Sequence, residues 1–198
     1  SDVTPKVFLC KGDSGATEFK PTDYGIVDRE PMDLWDFGTL PIQHCSYTLH
    51  LPYGMYSLTS SSDPGMAVAA DRNPWMNSPS GAKKDPKLYS PIGGREMTNK
   101  GNALAHQEEG QNVLFMDGHV GFEEVPFCGI NEDNIYTYWD GGDLRIGAIP
   151  ICGPDVTPMD REDSLLVHDD EPAVAPPKGR GCFLAETPVW VNGALVKI

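Results

Sequence analysis

The sequence predicts an α+β domain that is mostly antiparallel β and rich in loops. Short runs alternate apolar and polar residues with the period of a half-buried strand, as in CSYTLHLPYGMYSLT, where Tyr47, Leu49 and Leu51 oppose Ser46, Thr48 and His50. An Asp-Gly pair sits between two such runs in QNVLFMDGHVGFEEV, the chemistry of a tight hairpin. No long amphipathic helical pattern occurs, and 21 Gly with 18 Pro in 198 residues favour short elements and many turns.

The elements follow in order. VTPKVFLC (3 to 10) ends in an apolar run and reads as a short strand, followed by the turn KGDSG. Residues 18 to 44 are loop-rich, punctuated by Pro21, Pro31 and Pro41, with Leu34, Trp35 and Phe37 as packing anchors. The alternating strand of 45 to 59 leads through SSSDPG into MAVAADRNPW, a buried strand ending in a loop. Residues 76 to 102 are poor in apolar groups and read as a long surface loop. Residues 111 to 116 and 119 to 125 form the hairpin strands, and Met-Asp-Gly-His at their junction suits a type I′ turn. SLLVHDDE is a short apolar run with an acidic exit. EPAVAPPKGRG (171 to 181) is a Pro/Gly linker, so the chain divides into a main domain of 1–170, a linker of 171–181 and a segment of 182–198 that reads as two short strands around Asn192-Gly193.

A formal net charge of -14 argues against nucleic-acid binding, which needs a basic face. It suits an exported surface or oxygen ligands for a hard cation. No apolar run is long enough to span a bilayer, and SDVTPKVFLC has no signal-peptide pattern. The Ser-Asp-Val start reads as a processed end. Five cysteines with no CxxC pair read as an exported protein's disulfides plus one odd thiol, with Cys128–Cys152 the preferred pair and Cys10–Cys45 the second. Buried free thiols are the alternative.

Asp117, Gly118 and His119 admit three readings: a structural turn, which is favoured, metal ligands together with His106, His50 or His44, or a metal-dependent hydrolase centre. No HExxH-type motif supports the last. The stretch HQEEGQNVLFMDGHVGF (106 to 122) resembles the signature of the prepilin-like proteins named for an H-X9-DG motif, abundant in planctomycetes. Ten residues, not nine, separate His106 from Asp117. KVFLCKGD is similar to that family's F-x-C-P-S-D segment, with Lys11 in place of Pro, and HCSYTLHLPYG, NPWMNSPSG and DNIYTYWDGGD are also similar, so the resemblance spans about residues 3 to 170. It implies the globular head of a pseudopilin of the type II secretion kind, without the apolar N-terminal helix that anchors such proteins and packs them into fibres. The implied role is an exported structural protein, periplasmic, extracellular or at the cell surface. Its partners would be copies of itself or other pilin-like or surface proteins, and it would meet a membrane only through that helix.

GCFLAETPVWVNGALVKI (181 to 198) resembles the first block of Hint domains, the fold of inteins and hedgehog autoprocessing domains. The resemblance implies Cys182 as a nucleophile attacking the Gly181 carbonyl, although Glu186 replaces the usual Gly and the downstream Thr-x-x-His block is not in this sequence. An ordinary hairpin is the alternative. The acidic segment 131 to 143 offers Asp133, Asp140 and Asp143 as candidate ligands for calcium, the one cofactor expected, against the alternative of a solvated loop. Major pseudopilins, which the head resembles, carry calcium in a comparable place. Besides the structural role, two readings compete: a polysaccharide- or surface-ligand-binding module with Trp35, Trp75, Tyr136 and Trp139 as a stacking platform, and self-processing at Cys182 in a longer precursor.

Overall fold

The computed structural model describes residues 4–27, 37–38, 40–150, 156–169, 188–191 and 194–197. Its centre is one antiparallel sheet of five strands, β1 (Tyr47–His50), β2 (Ala67–Asp71), β3 (Gln111–Phe115), β4 (Val120–Glu123) and β5 (Leu166–Val167), in the order β4-β3-β2-β1-β5. The fold is thus mostly β, as the alternating runs predict. The single α-helix among the described residues is one short piece, α1 (Arg95–Asn99). Near the C-terminus β6 (Pro188–Val191) pairs antiparallel with β7 (Ala194–Lys197), where the sequence reads two short strands. The linker and Cys182 lie outside the described residues.

Several expected segments take another form, and proline explains the first. VTPKVFLC is a 3₁₀ turn over Pro5–Phe8 rather than a strand, with Pro5 opening it. The same arrangement recurs at Pro21–Tyr24, Pro41–His44 and Pro86–Leu88. A fixed φ and a missing N–H suit the first position of a helical turn and cannot contribute a donor to a sheet. The hairpin between β3 and β4 is not type I′. Gly118 N–H donates to Phe115 O and Phe115 N–H to His119 O, so the loop has three residues. Gly118 alone is left-handed there, at φ 88°. This is a type I turn closed by a left-handed glycine, the next most common hairpin solution. Segment 76–102 is not purely superficial either, for Met76, Thr98 and Asn102 are buried.

Each sheet face has its own chemistry. Toward the core, Thr48, Ala70 and Val113 lie in register across β1, β2 and β3. Ala70 and Val113 pack with Ala67, Phe115, Trp75, Ile135, Tyr136 and Leu166. The opposite face carries Leu49, Ala69, Leu114 and Val120, again in one register row, with Val167 paired to Leu49 at the far edge. A second row beside it holds Tyr47, Asp71, Asn112 and Phe122, two residues along each strand. The register shift between Ala67 and Ala69 leaves Val68 as a bulge.

Where β2 ends, Asn73 binds the core together. Its Nδ2 donates to Tyr136 O and Leu166 O, both at 2.8 Å, and its Oδ1 accepts from Trp75 N–H at 2.8 Å. Asn73 is 1 % exposed, so no water substitutes for these contacts. Replacing Asn73 by Ala strands three backbone groups, and the expected loss is at least about 3 kcal/mol of unfolding free energy by urea titration.

Candidate functional site

Cys10, Asp71 and His106 meet on the outer sheet face, at the row that also holds Asn112 and Phe122. Each arrives by a different route. Asp71 is the last residue of β2 and fully buried. Cys10 follows the N-terminal 3₁₀ turn, and Ser46 N–H donating to Phe8 O ties that segment to the start of β1. His106 is delivered by an unusual backbone: His106, Gln107 and Glu108 are all left-handed, at φ 56°, 60° and 63°. That conformation costs roughly 1 kcal/mol or more for each residue with a Cβ. Neighbouring contacts hold it. Glu108 is paired with Lys84 at 3.3 Å and Lys100 at 3.2 Å, and Asn102 Nδ2 donates to the Glu108 carbonyl.

Three groups converge on one ring nitrogen. His106 Nε2 lies 3.4 Å from Cys10 Sγ, 3.3 Å from Asp71 Oδ2 and 3.0 Å from Asn112 Nδ2. Asp71 Oδ2 also accepts from the Asn112 backbone N–H at 2.7 Å and from Asn112 Nδ2 at 3.2 Å. Asp71 Oδ1 is buried with no hydrogen-bond partner. The Gly12 N–H points at Cys10 Sγ from 3.4 Å, and Phe122 meets the imidazole edge-on at 5.7 Å. Burial, with Asp71 alongside, pushes the Cys10 thiol above its usual pKa despite the Gly12 amide. A cysteine nucleophile needs the reverse, a lowered pKa. A relay would also place the carboxylate on the imidazole nitrogen remote from sulfur, whereas here sulfur and carboxylate share Nε2. The geometry therefore resembles a ligand cluster more than a catalytic triad.

The expected site residues are dispersed otherwise. Asp117 and His119 lie at the hairpin tip, at the opposite end of β3 from His106. Asp117 Oδ1 accepts from the His119 backbone N–H at 3.0 Å and meets its Nδ1 at 2.5 Å, and the ring stacks on Phe115 at 4.5 Å. Those bonds to His119 lower the Asp117 pKa. The pair thus takes part in the turn, the structural role the sequence favours. His44 is fixed between Tyr24 Oη at 2.6 Å and Thr17 O at 2.8 Å, and His50 is buried beside Leu51 O. Trp75 and Tyr136 are core residues and present no face to a sugar. Trp139 bonds Gly142 O, and Trp35 lies outside the described residues.

The cysteines differ from expectation. Cys10, Cys45 and Cys128 are all free thiols. The Cys10–Cys45 disulfide is not formed because the two sulfurs have separate neighbours: Cys10 faces His106, and Cys45 donates to Tyr47 O. Cys128 donates to Pro126 O, and burial raises its pKa. Its expected partner Cys152 lies outside the described residues.

The calcium candidates do not gather. Asp143 is held bidentately by Arg145, at 3.0 and 2.8 Å, and Asp140 turns back on the Gly142 N–H at 3.0 Å. Asp133 is buried and accepts from Ser164 N–H at 2.8 Å. Among the described residues, Cys10, Asp71 and His106 are the one trio of metal-type ligands whose atoms lie within 4.8 Å of one another. Sequence reading weighed His106 as a metal ligand beside Asp117 and His119, placed Cys10 in a disulfide, and passed over Asp71. The available signal was a polar Asp-Arg-Asn closing an apolar strand.

A second buried cluster lies nearby. Asp13 and Arg72 pair at 2.8 Å, with side chains 3 % and 6 % exposed. Arg72 also donates to Ile42 O, and Ser80 to Asp13. Burial alone would raise the Asp13 carboxyl, but Ser80 and Arg72 together bring it below its usual value. The small cavity beside them, lined by Ser46, Ser78 and Leu104 among others, has no room for an organic ligand.

Burial, opposed by Ser164 and reinforced by Asp163 and Asp160, raises the Asp133 pKa to about 8. The folded protein therefore keeps a proton on Asp133 that the unfolded chain releases near the ordinary aspartate pKa of 3.8. Stability from this group is complete below about pH 4 and falls as pH rises toward about 8. Asp133→Asn keeps the acceptor for Ser164 and removes the titration. Its melting temperature should exceed that of the parent at pH 8, with the gap closing by pH 4 in a thermal-melt series.

No family model matches the chain, and no curated protein or solved structure matches it significantly.

Proposed function

We propose that this chain is the globular head of a pseudopilin-like structural protein, exported and built into an assembly at the cell surface. The observation that supports this most is the outer sheet face. Leu49 is 60 % exposed, Val120 65 % and Phe122 51 %, and the first two flank Ala69 and Leu114 in one row across the sheet. A sheet stably buries an apolar face against a second layer, either a helix or another sheet. The apolar helix implied by the H-X9-DG resemblance is a layer of that kind. The resemblance also bears on the positions that shape this face, because its signature stretch forms β3, the hairpin and most of β4.

The reading is structural rather than enzymatic. Asp117, Gly118 and His119 are engaged in turning the hairpin, and His106 sits with a thiol above its usual pKa. Self-processing at Cys182 concerns residues outside those described and belongs to a separate segment of the chain.

The test is fractionation of the producing cells followed by sedimentation of the native protein. A high-mass form in the envelope or medium is expected. Leu49→Asp combined with Val120→Asp should disperse it while leaving the melting temperature of the head within a few degrees, because both side chains are exposed. A monomer in the soluble cell interior, or an assembly indifferent to the double substitution, would overturn the proposal.

A further inference from the structure

We propose that Cys10, His106 and Asp71 are the ligands of a single zinc ion. Thiolate, imidazole and carboxylate form a donor set suited to zinc, whereas calcium takes oxygen ligands. The spacing also fits. A tetrahedral zinc with Zn–N and Zn–O of about 2.0 Å and Zn–S of about 2.3 Å has an N–O edge of about 3.3 Å and an N–S edge of about 3.5 Å. The corresponding separations are 3.3 Å from His106 Nε2 to Asp71 Oδ2 and 3.4 Å from His106 Nε2 to Cys10 Sγ.

Hydrogen bonding alone does not satisfy this cluster with a neutral imidazole and an ionised carboxylate. With a proton on Nε2, His106 suits Cys10 and Asp71 but sets its N–H against the Asn112 amide N–H. Without it, His106 accepts from Asn112 and the thiol, yet faces the Asp71 oxygen lone pair to lone pair. Turning the Asn112 amide over moves the conflict to Asp71, 3.2 Å away. A cation among the three removes the conflict, since each ligand then directs a lone pair at it. It also neutralises a carboxylate that is 0 % exposed and has an oxygen without a partner. Asn112 would remain the donor that orients Asp71, and the Gly12 N–H would stabilise the thiolate. Binding releases the Cys10 proton to solvent, and the sulfur lone pair goes to the metal. The His106 side chain is 29 % exposed, which leaves a water-accessible side for a fourth ligand.

The role is distinct from assembly. The ion would fasten the N-terminal segment and the left-handed turn onto the end of the sheet, joining residues 96 positions apart. It holds or fails independently of the pseudopilin-like reading.

The experiment uses the full chain, reduced and stripped of metal, then titrated with Zn2+ or Co2+. One equivalent is expected to bind with release of a proton. Co2+ should give a sulfur-to-metal charge-transfer band, and Zn2+ should raise the melting temperature. Cys10→Ser and His106→Gln should each abolish the band and weaken binding by more than about 100-fold. Cys45→Ser and His119→Ala should bind like the parent. Zn2+ should also protect Cys10 from alkylation in the unmodified sequence, a readout that needs no variant to fold. Absence of the cobalt–thiolate band with no protection of Cys10, or metal binding that survives Cys10→Ser and His106→Gln, would overturn the assignment.

Discussion

The structure depends on three consecutive buried polar residues at the end of the central strand. Asp71, Arg72 and Asn73 are at most 5 % exposed, and each fastens a different part of the chain. Asp71 reaches Asn112 and His106, Arg72 reaches Asp13 and Ile42, and Asn73 reaches Trp75, Tyr136 and Leu166. Tyr136 Oη closes the set by donating to Asp71 O at 2.9 Å. A chain with few regular elements holds its loops through side-chain-to-backbone bonds of this kind. Buried polar groups are costly when left open, so the three residues specify one arrangement of the loops around them.

The same stretch explains what was legible in the sequence. The β3–β4 hairpin was readable because its signal is local: alternation on both sides and a glycine at the bend. The two faces of β1 were readable from alternation, but not which one is buried: the polar Thr48 and His50 turn to the core and Leu49 is exposed. The N-terminal segment was not, because Val7 and Phe8 look like strand residues while Pro5 determines the local backbone. Val7 stays 57 % exposed and Phe8 36 %, so burial does not override the proline.

The candidate site was half legible. His106 and Cys10 attract notice as residue types, but spacing along the chain cannot show that they meet. The connection runs through Asp71, whose neighbours in sequence suggest the end of a strand and nothing more. The left-handed run at 106–108 was hidden as well, since Gln and Glu carry no preference for it and the enrichment of His there does not single out one position. It becomes understandable only with the lysine pair around Glu108 and the contacts of His106 in view.

The make-up of β2 has one more effect. Of its three alanines, Ala67 and Ala70 turn to the core and only Ala69 lies on the outer face, between Leu49 and Leu114. The outer row therefore dips by one side chain at its centre, while the next outer position of β2, Asp71, is closed off by His106. A body resting on this row meets two leucine ridges with a notch one methyl deep between them, a relief that a single projecting side chain fills.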